Sequence, residues 1–169
     1  MAPVASPNLM LTPGRRVTAV GIVEATSDGV ALWVVPPWGA PHRLRGGRVD
    51  LSLATTAGDL PGATELVVVE GTWTATKSVS HASLRSAGAE VPSPVIVRSP
   101  AARRSNLSED EVVTAVATVR SLAGELVIAS GGTRDHVHIQ VLHINADLQV
   151  WLAQLTAIPL EVTVSITPS

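Results

Sequence analysis

The sequence contains no cysteine, no phenylalanine and no tyrosine among its 169 residues, and only one of its twelve cationic side chains, Lys77, is a lysine. The absence of cysteine excludes disulfide bonds and thiolate metal sites. Because the aromatic residues are four tryptophans, the core must be built mainly from valine, leucine, isoleucine and alanine. Segments rich in valine and threonine, interrupted by glycine and proline, favour strands over helices.

Other patterns are also absent from the sequence. No apolar run reaches the length of a membrane span, and the start Met1-Ala2-Pro3 is not followed by a secretory signal. The sequence contains no nucleophile elbow, no phosphate-binding P-loop, no zinc-protease motif and no dinucleotide-binding fingerprint. These absences predict a cytoplasmic, non-enzymatic protein without a cofactor and without a membrane partner.

The charge is small overall but unevenly distributed. The formal net charge is −2, which is not typical of a strongly basic nucleic-acid-binding protein. Residues 15–88 carry seven basic and six acidic side chains, residues 89–107 carry three and one, and residues 108–169 carry two and seven. A nucleic-acid contact is therefore expected in the first half, and a protein partner or self-association in the acidic second half.

A repeated unit organises the predicted fold. The tetrapeptide Val-Thr-Ala-Val occurs at 17–20 and again at 113–116, and a glycine-containing turn follows each copy at nearly the same distance. Internal similarity of this kind indicates one supersecondary unit used twice. Alternation and apolar runs predict strands at 16–24, 30–35, 48–53, 65–73 and 79–85, an edge strand at 95–97, and further strands at 112–119, 125–129, 136–142 and 160–166.

Two helical signals accompany these strands. Apolar residues spaced for one face of a helix predict a helix at 145–156, capped by Asn145 or Asp147. Residues 107–112 form a capping box with a hydrophobic staple, which favours a helix starting at Ser108. Because the residues that follow are strongly β-branched and the repeat favours a strand, we expect one helical turn at 108–111 and then a strand.

The order of these elements resembles the OB-fold, a five-stranded Greek-key barrel that commonly has a helix between its third and fourth strands. The resemblance implies a mostly all-β protein of two tandem OB-like barrels, the second with that helix. The predicted organisation is an N-terminal arm at 1–14, a first OB-like domain at 15–88, a linker at 89–107 and a second OB-like domain at 108–169. The second copy has no fifth strand of its own, so the linker strand or the arm must complete it, or its edge stays open.

The resemblance also implies a binding surface, because OB-fold proteins bind oligonucleotides on the face of strands two and three and the flanking loops. An indole offers a base a stacking surface, and arginine neutralises phosphates. The predicted function is binding of single-stranded nucleic acid, DNA in the first place. The candidate binding residues are Trp33, Trp38, His42, Arg43, Arg45, Arg48 and Lys77.

Two other functions remain open. One is a structural or adaptor protein that assembles with itself or with a partner protein through the edge of the second domain. The other is a metalloenzyme or hydrolase that uses the histidines near the predicted strand at 136–142. His136 and His138 are spaced to share one face of a strand, but the sequence fixes no third ligand and His143 has the opposite parity. No metal site is predicted, and His136 and His138 are kept as candidate ligands.

Overall fold

The computed structural model describes residues 8–35, 46–54, 59–62, 64–74, 77–88, 91–102, 104 and 106–169, and it is mostly β, with two sheets and two α-helices. The ten strands are β1 (Arg16–Thr26), β2 (Gly29–Val34), β3 (Arg48–Leu53), β4 (Val67–Trp73), β5 (Ser78–Ser86), β6 (Val95–Arg98), β7 (Val127–Gly132), β8 (Val137–Val141), β9 (Leu160–Val164) and β10 (Ile166–Pro168). The helices are α1 (Glu109–Ala123) and α2 (Ala146–Gln154). Within the described ranges, neither helix is long and apolar enough to cross a membrane.

The first five strands form a closed sheet. Pairing runs from β1 to β2, β3, β5 and β4, and β4 pairs again with β1. All of these pairs are antiparallel except β3 with β5, which is parallel. Alternate side chains of every strand point inward and form one apolar cluster, with Leu32, Val49 and Val69 at its centre. The five strands predicted in this half are confirmed.

Closure of this sheet depends on a change of pairing partner along β1 at Gly21. Residues before Gly21 pair with β4, residues after it pair with β2, and Gly21 belongs to both registers. A Cβ atom on Gly21 would lie only 2.2 Å from the carbonyl oxygen of Trp33. Glycine is therefore required at this position so that the backbone of β2 can approach β1 closely.

The second sheet is open and has the strand order β6-β9-β8-β7. The predicted edge strand at 95–97 is confirmed as β6, which pairs antiparallel with β9. Strands β8 and β9 are parallel, and their connection contains α2. The predicted helix between these two strands is confirmed, and it is capped by Asn145, whose side-chain Oδ1 accepts a hydrogen bond from the Leu148 backbone N–H at 2.9 Å.

The predicted strand at 112–119 is wrong, because these residues belong to α1. Ser108 caps the helix, and its hydroxyl and the Glu111 carboxylate complete both hydrogen bonds of the capping box. Three buried residues spaced four apart, Ala115, Val119 and Ala123, pack against the open sheet. The cap and this apolar stripe outweigh the weak preference of β-branched residues for strands.

The predicted second barrel is not formed by the described residues. Since residues 113–116 are helical, β7 pairs with β8 instead of with a preceding strand, and the four strands of the second sheet make an open row. The predicted strand at 125–129 is only partly right, because a short 3₁₀ turn occupies Gly124–Leu126 and β7 begins at Val127. The C-terminal half is thus an α/β layer with both helices on one face.

The two sheets meet along the last strands of the chain. After β9, the chain continues as β10, which pairs with β1 of the closed sheet. Leu142 and Ile166 are fully buried in the apolar cluster of the closed sheet; Leu142 directly follows β8 of the open sheet, and Ile166 begins β10. The amide of Gln140 also donates hydrogen bonds to the Val35 carbonyl at 3.2 Å and to Ser165 Oγ at 2.9 Å. The predicted division of the chain into domains stays a prediction.

Candidate functional sites

The first candidate site is the outer surface of β1, β2 and β3, hereafter the β2–β3 face, formed by Glu24, Trp33, Arg48 and Asp50. Trp33 on β2 and Arg48 on β3 are direct cross-strand partners in the register. Both side chains point outward, because their neighbours Leu32 and Val49 point into the core. The structure therefore brings two of the predicted binding residues side by side.

Trp33 is half-buried, and its position is fixed by a hydrogen bond. The indole Nε1 donates to Glu24 Oε2 at 2.9 Å. A tryptophan that is held in this way keeps one orientation, so little side-chain entropy is lost when a flat ligand stacks against it. The geometry is that of a small aromatic platform at the edge of a polar surface.

Arg48 is paired within the same strand. Its Nη2 lies 3.2 Å from Asp50 Oδ1, and the two side chains are 46% and 66% exposed. An exposed ion pair of this kind contributes about 0–1 kcal/mol, so the guanidinium can exchange the carboxylate for a phosphate at small cost. Among the described residues, the β2–β3 face carries two carboxylates and one guanidinium, so it repels phosphates except where Arg48 lies.

Lys77 lies near this surface but points toward the other half of the molecule. Its backbone carbonyl accepts a hydrogen bond from the Asp50 N–H at 3.0 Å, and its Nζ lies 4.0 Å from Glu125 Oε2. The other predicted binding residues lie outside the described residues, in the connection between β2 and β3; they are Trp38, His42, Arg43 and Arg45. For these four residues the expected contacts stay predictions.

The second candidate site is on the open sheet, on the face opposite to the helices. His136 and His138 lie on this face as the sequence predicts, and their ring centroids are 3.8 Å apart. Glu161 of β9 lies beside them, because the parallel register places it next to His138. These three residues, hereafter the His–Glu cluster, offer ligand atoms that all lie within 4.8 Å of one another. Sequence analysis missed Glu161, although a lone acid between apolar residues of a buried strand was a signal for it.

The surroundings of the His–Glu cluster orient its members. His136 Nδ1 lies 3.1 Å from Asp135 Oδ1 and 3.1 Å from Thr133 Oγ1. Hydrogen bonds from Thr133 and from His136 lower the pKa of the Asp135 carboxyl, so it stays ionised as a partner for the imidazole. Arg98 Nε donates to Glu161 Oε1 at 3.0 Å. Each buried member is thus held by a charged neighbour outside the cluster.

His143 does not belong to this cluster. Its ring lies edge-on to the indole of Trp73 at 5.2 Å between centroids, at the junction of the two sheets. Burial lowers the pKa of the His143 imidazole, so this side chain is neutral at pH 7. The prediction that its parity separates it from the other two histidines agrees with this position.

A cavity of about 440 Å³ also lies at the junction of the two sheets, between β1 and β9. Its walls are formed by uncharged side chains, among them Val20, Leu66, Val91, Gln140 and Thr163. Its described walls contain no charged side chain, so the cavity has no cation to neutralise a phosphate. It is therefore not part of the predicted nucleic-acid interface.

Comparisons of the chain with family models, with curated proteins and with solved structures returned no match.

Proposed function

We propose that the N-terminal half is an OB-like barrel that binds single-stranded nucleic acid, DNA in the first place, through the β2–β3 face and without catalysing a reaction. The strand order of the closed sheet, with β3 parallel to β5 and β1 closing on β4, supports the barrel part of this proposal. A cytoplasmic location stays part of the same proposal.

The observation that carries the functional proposal is the pairing of Trp33 with Arg48 across β2 and β3. OB-fold proteins bind oligonucleotides on this face, and the two side chains supply the two interactions that a single strand needs. The indole stacks on a base, and the guanidinium contacts the adjacent phosphate. Trp38, Arg43 and Arg45, which follow β2 in the sequence, are further residues that we expect to contact the nucleic acid.

The test is a titration of a dye-labelled, short oligothymidylate with the full chain at low salt, followed by fluorescence anisotropy. Trp33→Leu keeps apolar cover on the sheet and removes the aromatic face, so we expect affinity to fall roughly five- to 150-fold, since base stacking contributes about 1–3 kcal/mol. With about three phosphate contacts, the logarithmic salt slope is expected near −2, and Arg48→Ala should reduce its magnitude by about 0.7.

Arg85→Ala is the matched control, because it removes the same charge from an exposed position on β5, opposite Val68 of β4. Its affinity and salt slope should equal those of the unmodified chain. The proposal is overturned if the unmodified chain does not bind at low salt, or if Trp33→Leu binds as tightly as Arg85→Ala.

A second function, assembly through the C-terminal half, is favoured by a specific observation. The large apolar side chains that stand exposed in the described part of the chain all belong to residues 91–150; they are Val91, Ile96, Val113 and Val150. Ile96 lies on β6, an outer strand of the open sheet, and such a strand is able to pair with another chain. Light scattering that gives a defined oligomer, dissociated by Ile96→Asp, supports this function, and a monomer at all concentrations contradicts self-assembly.

A further inference from the structure

The spacing of the His–Glu cluster matches the coordination shell of a small divalent cation. Glu161 Oε2 lies 3.7 Å from His136 Nε2 and 3.6 Å from His138 Nδ1. Ligand atoms at about 2.0–2.2 Å from a tetrahedral Zn²⁺ lie roughly 3.3–3.6 Å from one another. The carboxylate oxygen is thus slightly too far from each imidazole nitrogen for a direct hydrogen bond, and all three ligand atoms lie within 4.8 Å of one another, so small side-chain movements place them around one ion.

The partners outside the cluster point the correct atoms inward. When the His136 Nδ1–H donates a hydrogen bond to Asp135 Oδ1, Nε2 carries the lone pair, and this lone pair faces Glu161. When Arg98 occupies Glu161 Oε1, Oε2 is the oxygen that faces both imidazoles. A carboxylate behind a ligating histidine and a hydrogen-bond donor behind a ligating carboxylate are the outer-shell arrangement of protein metal sites.

The His–Glu cluster is buried at His136 and Glu161 and partly open to solvent at His138. His136 and Glu161 have side chains that are only 9% and 11% exposed, whereas the side chain of His138 is 33% exposed. The parallel pairing of β8 and β9 fixes the positions of His138 and Glu161. An ion bound here is reached from solvent past His138, and it keeps at least one position for water.

We propose that His136, His138 and Glu161 form a binding site for a divalent transition metal, with Zn²⁺ as the matching ion. Two imidazoles and one carboxylate, without a thiolate, form a ligand set that Zn²⁺ accepts, and three protein ligands leave the fourth tetrahedral position to water. The site lies on the open sheet, and it does not depend on nucleic-acid binding by the closed sheet.

The test uses the full chain, prepared without a histidine tag. Isothermal titration with Zn²⁺ should give one bound ion per chain, and titration with Co²⁺ should give the visible absorption of a tetrahedral complex. We expect His138→Gln to weaken Zn²⁺ binding about tenfold or more and to abolish the Co²⁺ absorption, because even the loss of an outer-shell partner costs 10- to 100-fold.

Two further variants keep the test decisive. Glu161→Gln removes the carboxylate charge and should lose the Co²⁺ absorption as His138→Gln does. His81→Asn removes an exposed imidazole from β5, and asparagine tolerates the positive φ of 50° found there, so its Zn²⁺ affinity should equal that of the unmodified chain. The proposal is overturned if the unmodified chain binds neither ion, or if His138→Gln and His81→Asn bind Zn²⁺ equally.

Discussion

At the scale of single residues, the described part of the β2–β3 face carries one cation and two carboxylates, whose charges act in opposite directions on an anionic ligand. Trp33 is oriented by Glu24, and Arg48 is paired with Asp50. Both acids hold a neighbouring side chain on this surface, and both would repel the phosphates of the proposed ligand. Removal of one of these carboxylates should therefore strengthen binding to the proposed ligand, whereas most substitutions in a binding site weaken it.

Asp50→Asn should tighten the binding of a single-stranded oligonucleotide. The change frees Arg48 from its exposed ion pair and removes a negative charge from the face, an effect of roughly 0.2–1 kcal/mol, or up to about fivefold in affinity. Anisotropy titrations at low salt measure it, with the exposed Asp59→Asn, outside the strands, as the control. Weaker binding by Asp50→Asn than by Asp59→Asn would contradict this view of the face.

His143 gives a pH dependence at the same scale. Burial lowers the pKa of its imidazole in the folded chain below the ordinary value of 6.5. As pH falls through 6.5, the unfolded chain therefore binds a proton that the folded chain does not, and the free energy of unfolding decreases until the folded pKa is reached. The contribution of His143 to stability is complete above about pH 7 and is lost on acidification.

Urea unfolding at pH 7.5 and at pH 5.5 measures this dependence. The decrease in the free energy of unfolding between the two pH values should be smaller in His143→Gln than in the unmodified chain, because glutamine does not titrate. An equal decrease in both chains would show that His143 does not contribute to the acid sensitivity.

At the scale of elements, the tetrapeptide Val-Thr-Ala-Val is a strand at 17–20 and a helix at 113–116. The local sequence is the same, so the difference comes from what surrounds it. The second copy follows the capping box of Ser108 and Glu111. It lies in a helix whose buried residues are spaced four apart and pack against the open sheet; they are Ala115, Val119 and Ala123. The first copy leads to Gly21, where β1 changes its pairing partner from β4 to β2. A repeat of four residues thus predicted the first unit correctly and the second one wrongly.

The cap of α1 should therefore contribute measurably to stability. Ser108→Ala removes the acceptor of the Glu111 backbone N–H and should lower the free energy of unfolding by about 1 kcal/mol. Ser121→Ala is the control, because Ser121 is exposed inside the same helix and alanine there should be neutral or slightly stabilising. Urea denaturation followed by circular dichroism compares the two, and equal stabilities would contradict the capping role.

For Gly21→Ala we expect a larger loss of stability than for Ser108→Ala. A Cβ atom at this position collides with the backbone of Trp33, so either the strand or its partner must shift, at a cost of typically 1–3 kcal/mol. Gly62→Ala is the matched control, since a Cβ atom there meets nothing within 4 Å. Thermal unfolding should show a clear loss for Gly21→Ala alone; similar melting temperatures for both variants would contradict the close approach.

At the scale of the whole molecule, two sheets of different architecture share one junction. Leu142 and Ile166 belong to the core of the closed sheet, and the chain passes from β9 directly into β10. Alternation along single strands predicted most of the strands and the faces of their side chains. It did not predict which strands pair over long distances, because pairing depends on packing between segments far apart in sequence.

The same limit explains how much of the candidate sites could be predicted. Trp33 and Arg48 were found from their outward positions on consecutive strands, which pair locally. Glu161 was missed because its contact with His138 depends on the parallel pairing of β8 and β9 across α2. Parity along one strand identified two candidate ligands, and the sheet register supplied the third candidate.

The central claim is that the β2–β3 face is the surface that binds single-stranded nucleic acid. Its most direct test is a titration of the isotope-labelled full chain with an oligothymidylate, followed by the backbone amide resonances in NMR spectra. We expect the amide resonances of β2 and β3 around Trp33 and Arg48 to shift most, whereas the resonances of β8, β9 and both helices keep their positions. Shifts confined to the open sheet and its helices, or no shifts at an excess of oligonucleotide at low salt, would contradict it.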